Sequence, residues 1–372
     1  MSGTSNSVST AAYRITEDAR LDSRNTFGVA ATAPMLVEVN DSAILPDLFG
    51  DALLRNAPVL VLGGGSNLLF AGDPQGVVLA MIAQRIDLIE DDGKTAIVRA
   101  DAGVNWHELV LWTLARGLCG LENLALIPGT VGAAPIQNIG AYGVEVHDCI
   151  HAVDAYDLQA GTMVRLGNDA CAFAYRDSLF KRDPEHYVVT AVEFALSRTP
   201  ALKLDYAGIG EELQAMGIAD FPRATQVAEA VIRIRQRKLP DPAVLGNAGS
   251  FFKNPIVGAG LAEALLAQHP SMPVFRVKPR SESAFYEKGD SGPGFNADTH
   301  KLSAAWLIDQ YGWKGFREGD AGVAESHALV LVNHGHASGA QLLDLAHRIA
   351  ASVQARFGVA IEPEPRIIGA TW

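Results

Sequence analysis

The first half of the chain is written in short apolar runs and alternations, and the second half in helical spacing. The alternating stretch at 35–39 and the unbroken VLVL at 59–62 predict strands. The segment 46–56 between them predicts a helix, so the three form a strand–helix–strand unit. Further strands are expected at 77–82, 86–89 and 94–100, with Asp91-Asp92-Gly93 as the hairpin turn between the last two. Trp106, Leu109, Val110 and Thr113 share one helical face, with Asn105 as cap before it and Gly117 as stop after it. Strands resume at 150–158, 162–166 and 187–196. From about residue 206 the texture becomes helical and ends in an amphipathic run at 225–238.

The C-terminal third predicts a helix at 303–311, a strand at 328–332, a helix at 341–357 and a strand at 359–362. Ser338 and Gln341 make a capping box for the longer helix, whose buried stripe is Leu342, Ala346, Ile349, Val353 and Phe357. No internal repeat is evident. Strand hairpins early and helices late point to an α+β fold rather than a doubly wound parallel sheet.

With 372 residues, 48% hydrophobic and 19% charged, the chain has core enough for two or three domains at about 150 residues each. A net charge of −12 gives no general attraction for nucleic acid or acidic lipid. Cys119, Cys149 and Cys171 lack CxxC or zinc-like spacing and read as reduced core residues, with no metal site. Residues 1–20 are small and polar and read as a disordered tail. No leader pattern and no window of about 18 apolar residues is present, which points to the cytoplasm.

The chemistry gathers in a few stretches. IPGTVGAAPIQNIGAYG at 127–143 interrupts an apolar run with glycines and prolines and carries no charge. It reads as a shaped loop, either a platform for a flat cofactor or a turn packed on its own domain. Gly63, Gly64, Gly65, Ser66 and Asn67 follow an apolar strand, where successive main-chain N–H groups could cradle a phosphate. The run lacks both the Gly-Lys-Ser ending and the GxGxxG order, so it is a weak signal alone. The helix end at 233–238 is basic, which fits a solvated terminus complementing its own dipole. Lys238 stands apart at the exit. In GNAGSFFKNP, Ser250 lies between a glycine and two phenylalanines without a hydrolase elbow. The segment 274–299 reads as a surface loop, and Glu364 sits between two prolines, as a surface charge or a positioned acid.

GGGSN, the 127–143 loop, YRDSLFK at 175–181, KLPDP at 238–242, GNAGSFFKNP, AAWLIDQ at 304–310 and EPEPRIIG near the end occur in one order. Together they resemble the UDP-N-acetylenolpyruvoylglucosamine reductase family from about residue 21 onward, and Tyr206 in an inserted stretch resembles its longer type. The resemblance implies an FAD-binding portion of the vanillyl-alcohol-oxidase type at 21–237, in subdomains of about 21–68 and 69–237. A substrate-binding domain would follow at 238–372, with the last strand returning to the FAD portion.

It also implies noncovalent FAD, NADPH as reductant and UDP-N-acetylglucosamine enolpyruvate as substrate, in peptidoglycan precursor synthesis, by a monomer. By motif, Ser250 is the proton donor, and Arg176 and Glu364 sit at the enolpyruvyl carboxylate. FAD is expected at Gly63, Gly64, Gly65, Ser66, Asn67, Leu68, Pro128, Gly129, Thr130, Gly132, Ala133, Gln137, Asn138, Gly140, Ala141, Tyr142 and Gly143. Tyr206, Lys238, Asn254 and His327, the last in a substrate-contacting strand, are expected at the substrate. A flavin oxidase on the same architecture and a catalytically silent nucleotide-binding protein are the competing readings. The first leaves KLPDP and GNAGSFFKNP unexplained.

Overall fold

The structure, a computed structural model, describes residues 7–50, 52–218, 220–276 and 299–372. The chain divides into two compact units, one of residues 1–66 and 72–238, the other of residues 67–71 and 239–372.

The first unit holds two five-stranded sheets. One runs in the order Ser7–Ser9, Tyr13–Arg20, Thr32–Val39, Val77–Met81, Val59–Val61. Val77–Met81 is buried along its whole length and pairs in parallel with a neighbour on each side. A strand covered on both faces reads as an unbroken apolar run, which VVLAM supplies. The expected strands at 35–39 and 59–62 are therefore present but not adjacent, because the more apolar strand enters between them.

The expected disordered tail is corrected for residues 7–20. Tyr13–Arg20 pairs antiparallel with Thr32–Val39, and Tyr13 and Ile15 pack on a core that includes Val37, Leu45 and Leu79. Alternating Tyr13 and Ile15 with polar neighbours gives the strand one apolar edge to bury, while the polar face made the stretch look tail-like. Residues 1–6 of that tail lie outside the described residues.

The second sheet is antiparallel throughout, in the order Thr162–Gly167, Ile150–Asp157, Tyr187–Ser197, Thr95–Asp101, Ile86–Asp91. Its core takes in the helices Trp106–Leu114, Ile209–Ala215 and Ala224–Lys238. Asn105 caps the first of these by accepting from the amides of His107 and Glu108. Buried Trp106 meets Phe194 edge-on at 5.9 Å and donates its ring N–H to the Leu124 carbonyl at 2.9 Å. The three cysteines are buried here as free thiols, and burial pushes Cys149 and Cys171 up to about 12.

The second unit is built around the helix Gly339–Phe357, which begins with the Ser338 and Gln341 capping box. Two further helices, Ala259–Gln268 and Ala304–Tyr311, stand with two small three-stranded sheets. Arg366–Ile368 pairs in parallel with Leu68–Phe70. The last strand thus pairs with a segment inside the expected 21–237 portion. That segment, 67–71, belongs with residues 239–372 in the second compact unit, whose main boundary falls at 238/239. The strand expected at 359–362 is also corrected, since those residues join no ladder and the isolated bridge Phe252 to Pro363 lies just beyond them. Pro363 and Pro365 have no N–H to give to a ladder. Val274–Arg276 and Thr299–Leu302 are paired strands rather than loop, and the remainder of the expected excursion, 277–298, lies outside the described residues.

Candidate active site

Within the first unit the structure brings the two glycine-rich stretches together, although they lie far apart in sequence. A Cβ on Gly63 would stand 2.8 Å from Thr130 Oγ1, and one on Gly64 would stand 2.9 Å from the Gly129 Cα. No side chain fits at either position. Ser66 Oγ donates to the Pro128 carbonyl at 3.1 Å. The loop is in turn tied to the strand end before the first helix. Gly132 N–H donates to Ala102 O at 2.9 Å, Val131 N–H to Val104 O at 2.9 Å, and Trp106 N–H to Gly129 O at 3.1 Å. The result is a close-packed backbone cradle with side chains excluded, which fits a phosphate-bearing dinucleotide such as FAD.

The rest of the loop is shaped by side chains. Asn138 is fully buried at φ +47 and donates Nδ2 to Glu145 Oε2 at 2.8 Å and to the Ala174 carbonyl at 3.0 Å. Its side chain serves the loop's own shape. Asn123, which sequence reasoning passed over, is 1% exposed and donates Nδ2 at 2.9 Å to both Tyr142 O and Lys203 O. Tyr206, exposed, meets Tyr142 edge-on at 5.3 Å. Arg176 stands at φ +54 and donates Nη2 to Gly140 O at 2.7 Å. It therefore lies against the expected cofactor loop.

Three arginines at the end of the helix Ala224–Lys238 fare differently. Arg233 pairs with Glu229 at 2.7 Å and Arg237 pairs with Glu212, as a solvated helix end would. Arg235 has no carboxylate partner among the described residues, and its Nε donates to Leu126 O at 3.2 Å. Burial lowers its pKa, the nearby Arg176 charge lowers it further, and Tyr142 opposes them. A half-buried guanidinium with no carboxylate partner among the described residues, beside a second one, is a favourable place for an anion. The signal was present in the sequence, because Arg235 follows buried Ala228 and Val231 at helical spacing. Lys238 is the exposed last residue of that helix.

In the second unit, Phe251 is fixed by main-chain bonds on both sides. Its N–H donates to Leu329 O and its carbonyl accepts from Glu364 N–H, both at 2.7 Å. Lys253 N–H donates to Glu362 O at 3.0 Å. Phe251 and Phe252 are buried to 0% and 1% exposure, while Ser250 and Glu364 are half-buried. The main chain thereby ties Glu364 to the residue after Ser250. Buried Asn247 shapes the approach, donating Nδ2 to Leu245 O at 2.8 Å and accepting on Oδ1 from Gly249 N–H at 2.9 Å. Asn254 Oδ1 accepts from Ala304 N–H at 3.0 Å, at the first residue of the helix Ala304–Tyr311 that Ser303 caps. His327 is corrected from strand to turn: its Nδ1 accepts from Leu329 N–H and its carbonyl from Val330 N–H, and pairing begins only at Leu331–Asn333. Glu362 is exposed and 3.7 Å from Lys253. No group of His, Cys, Asp or Glu among the described residues could hold a metal ion.

Family models and whole-chain relatives agree on what this arrangement is similar to. Residues 33–167 match an FAD binding domain, and residues 241–368 match the UDP-N-acetylenolpyruvoylglucosamine reductase C-terminal domain. A UDP-N-acetylenolpyruvoylglucosamine reductase of Xanthomonas oryzae pv. oryzae (strain PXO99A) is 56% identical, over 97% of this chain and 98% of that protein. One of Xylella fastidiosa (strain M12) is 52% identical, over 99% of this chain and all of that one. Among solved structures, the enzyme of that name from Thermus caldophilus matches with a TM-score of 0.63 at 25% identity, covering 94% of this chain and 97% of its own.

Proposed function

The chain belongs to the UDP-N-acetylenolpyruvoylglucosamine reductase family, FAD-dependent oxidoreductases of peptidoglycan precursor synthesis, and from that premise we propose which of its residues perform the reduction. Bound FAD would supply the hydride chemistry for reduction of the enolpyruvyl group at C3, with NADPH as the reductant. Gly63, Gly64, Gly65 and Ser66 with Pro128, Gly129, Thr130 and Gly132 would hold its phosphates and approach its rings. Asn67, Leu68, Ala133, Gln137, Gly140, Ala141, Tyr142 and Gly143 continue that surface in this reading.

Arg176 binds the substrate carboxylate with its planar fork and gains strength as negative charge builds there during hydride addition. Arg235 adds a second positive charge near it. Glu364 also stands at that carboxylate in this reading. Ser250 Oγ gives its proton to C2, completing the saturated lactyl ether of UDP-N-acetylmuramate. Lys238 and Tyr206, with Asn254 and His327, hold the UDP diphosphate and nearby groups. We place the enzyme in the cytoplasm as a monomer, and no helix among the described residues is long and apolar enough to cross a membrane.

The observation that supports these roles is the two-sided main-chain fastening of Phe251, which ties the residue after Ser250 directly to Glu364. The test is spectroscopic. NADPH should bleach the bound flavin and the enolpyruvyl substrate should recolour it, and Ser250→Ala should bleach normally yet recolour slowly. Equal slowing of both steps would make Ser250 structural.

A further inference from the structure

The turn that carries Arg176 is fastened from several sides. Ala174 and Asp177 exchange backbone hydrogen bonds at 2.9 and 3.1 Å, placing Tyr175 and Arg176 at the tip. A non-glycine residue at φ +54 is strained and persists only where its surroundings dictate it. Here Asn138 holds the Ala174 carbonyl and Lys181 Nζ holds the Arg176 carbonyl at 3.0 Å. The guanidinium is held separately. Gly140 pairs directly with Glu145 across a two-residue strand pair, and a Cβ there would stand 2.9 Å from Arg176 Nη1 and 3.0 Å from Glu145 Cγ. The two side chains therefore converge over a position that only glycine can fill.

We propose that Glu145 is a positioning residue for the reduction: its carboxylate, fixed by Asn138 and by His147 Nδ1 at 3.3 Å, orients the Arg176 guanidinium for the substrate carboxylate. This rests on the reading that Arg176 binds that group. Burial alone would raise the Glu145 carboxyl, but hydrogen bonding and charge from His147, the Asn138 hydrogen bond and the Arg176 charge together hold it below the ordinary glutamate value. A guanidinium has five N–H donors in a rigid fork. Engaging one side with Gly140 O, close to the Glu145 charge, leaves the other ordered before substrate arrives, so less freedom is lost on binding.

The test is a double-mutant cycle read on the flavin of the holoenzyme. Reoxidation of reduced flavin by the enolpyruvyl substrate is followed for wild type, Glu145→Gln, Arg176→Ala and the double variant. Glu145→Gln keeps the shape and an acceptor for Asn138, and should slow reoxidation about 10-fold or more, the scale of an orienting partner, while NADPH reduction proceeds unchanged. In the Arg176→Ala background the same change should cost less than about twofold, because residues acting through one another are not additive. Glu145→Asp, which keeps the charge but retracts it, should fall between, and it carries the cycle if Glu145→Gln retains no flavin. Additive losses, or wild-type reoxidation by Glu145→Gln when Arg176→Ala is slow, would overturn the assignment alone. Wild-type reoxidation by Arg176→Ala would overturn the carboxylate-binding reading and this inference with it.

Discussion

The loop at 127–143 and the segment at 246–254 both present glycine-rich turns to chemistry, but different forces shape them. In the first, the 129–132 part is tied by main chain, but the 138–143 part is held largely by side chains that reach across the fold: Asn123 to Tyr142 and Lys203, Asn138 to Glu145 and Ala174, Arg176 to Gly140. The second is held mostly by main chain, through Phe251 to Leu329 and Glu364 and through Lys253 to Glu362, with Asn247 as the principal side-chain tie. A side-chain network transmits the loss of one member to the others, whereas a backbone ladder survives almost any single truncation. Substitution should thus be clean in the second region and propagate in the first.

Ser250→Ala sharpens this most. A positioned proton donor is worth about 10²- to 10⁴-fold, or roughly 3–5 kcal/mol of barrier. Because the backbone on both sides of Phe251 is independent of the hydroxyl, flavin content and melting temperature should match wild type while substrate-driven reoxidation collapses. A variant that also loses stability would show that the hydroxyl belongs to the frame, and the contrast between regions would fail.

Arg176→Lys tests the other region and should cost about 10- to 100-fold in kcat/KM, since an ammonium cannot reproduce a two-pronged carboxylate contact. It also releases Gly140 O from the guanidinium that now holds it, so the loop should loosen. Faster amide exchange at 138–145 is the expected signature, and a catalytic loss without it would mean that the loop does not depend on Arg176.

Much of this arrangement can be read from the sequence where its cause is local. The Asn105 cap, the Ser338 box and the heptad-like stripe through Phe357 are set by neighbours within a turn or two. What escapes is non-local. Nothing near Val77 says that it will enter between Thr32–Val39 and Val59–Val61, and nothing near Leu68 says that its partner is Ile368's strand. Among the candidate residues, Ser250, Arg176 and Glu364 stand in motifs, whereas Asn123, Glu145 and Arg235 matter through contacts that only folding creates. Arg235 alone was open to periodicity, because a charge on an apolar stripe contradicts its own helix.

Gly64→Val puts the cradle itself at stake. The added side chain would meet the Gly129 backbone at 2.9 Å, and two main chains in contact have little room to part. Overpacking of this kind costs about 1–3 kcal/mol, so FAD should dissociate about tenfold more readily, as measured by flavin fluorescence on dilution. Unchanged retention would mean that the 128–133 segment shifts freely and is not the tight surface described.

Lys238→Ala should have the smallest effect and lies outside both shaped regions. Lys238 is exposed at the end of its helix, where a charge contact with a diphosphate is partly screened by water. A contact remote from the reacting carbons serves ground and transition states alike, so it should change KM and leave kcat alone. We expect KM for the enolpyruvyl substrate to rise about fivefold, near 1 kcal/mol, with kcat within about twofold of wild type. The rise should shrink as salt is added, because screening already removes part of the contact. A fall in kcat at constant KM would place Lys238 at the reacting centre, and a salt-independent rise would mean that the lysine is buried against its ligand.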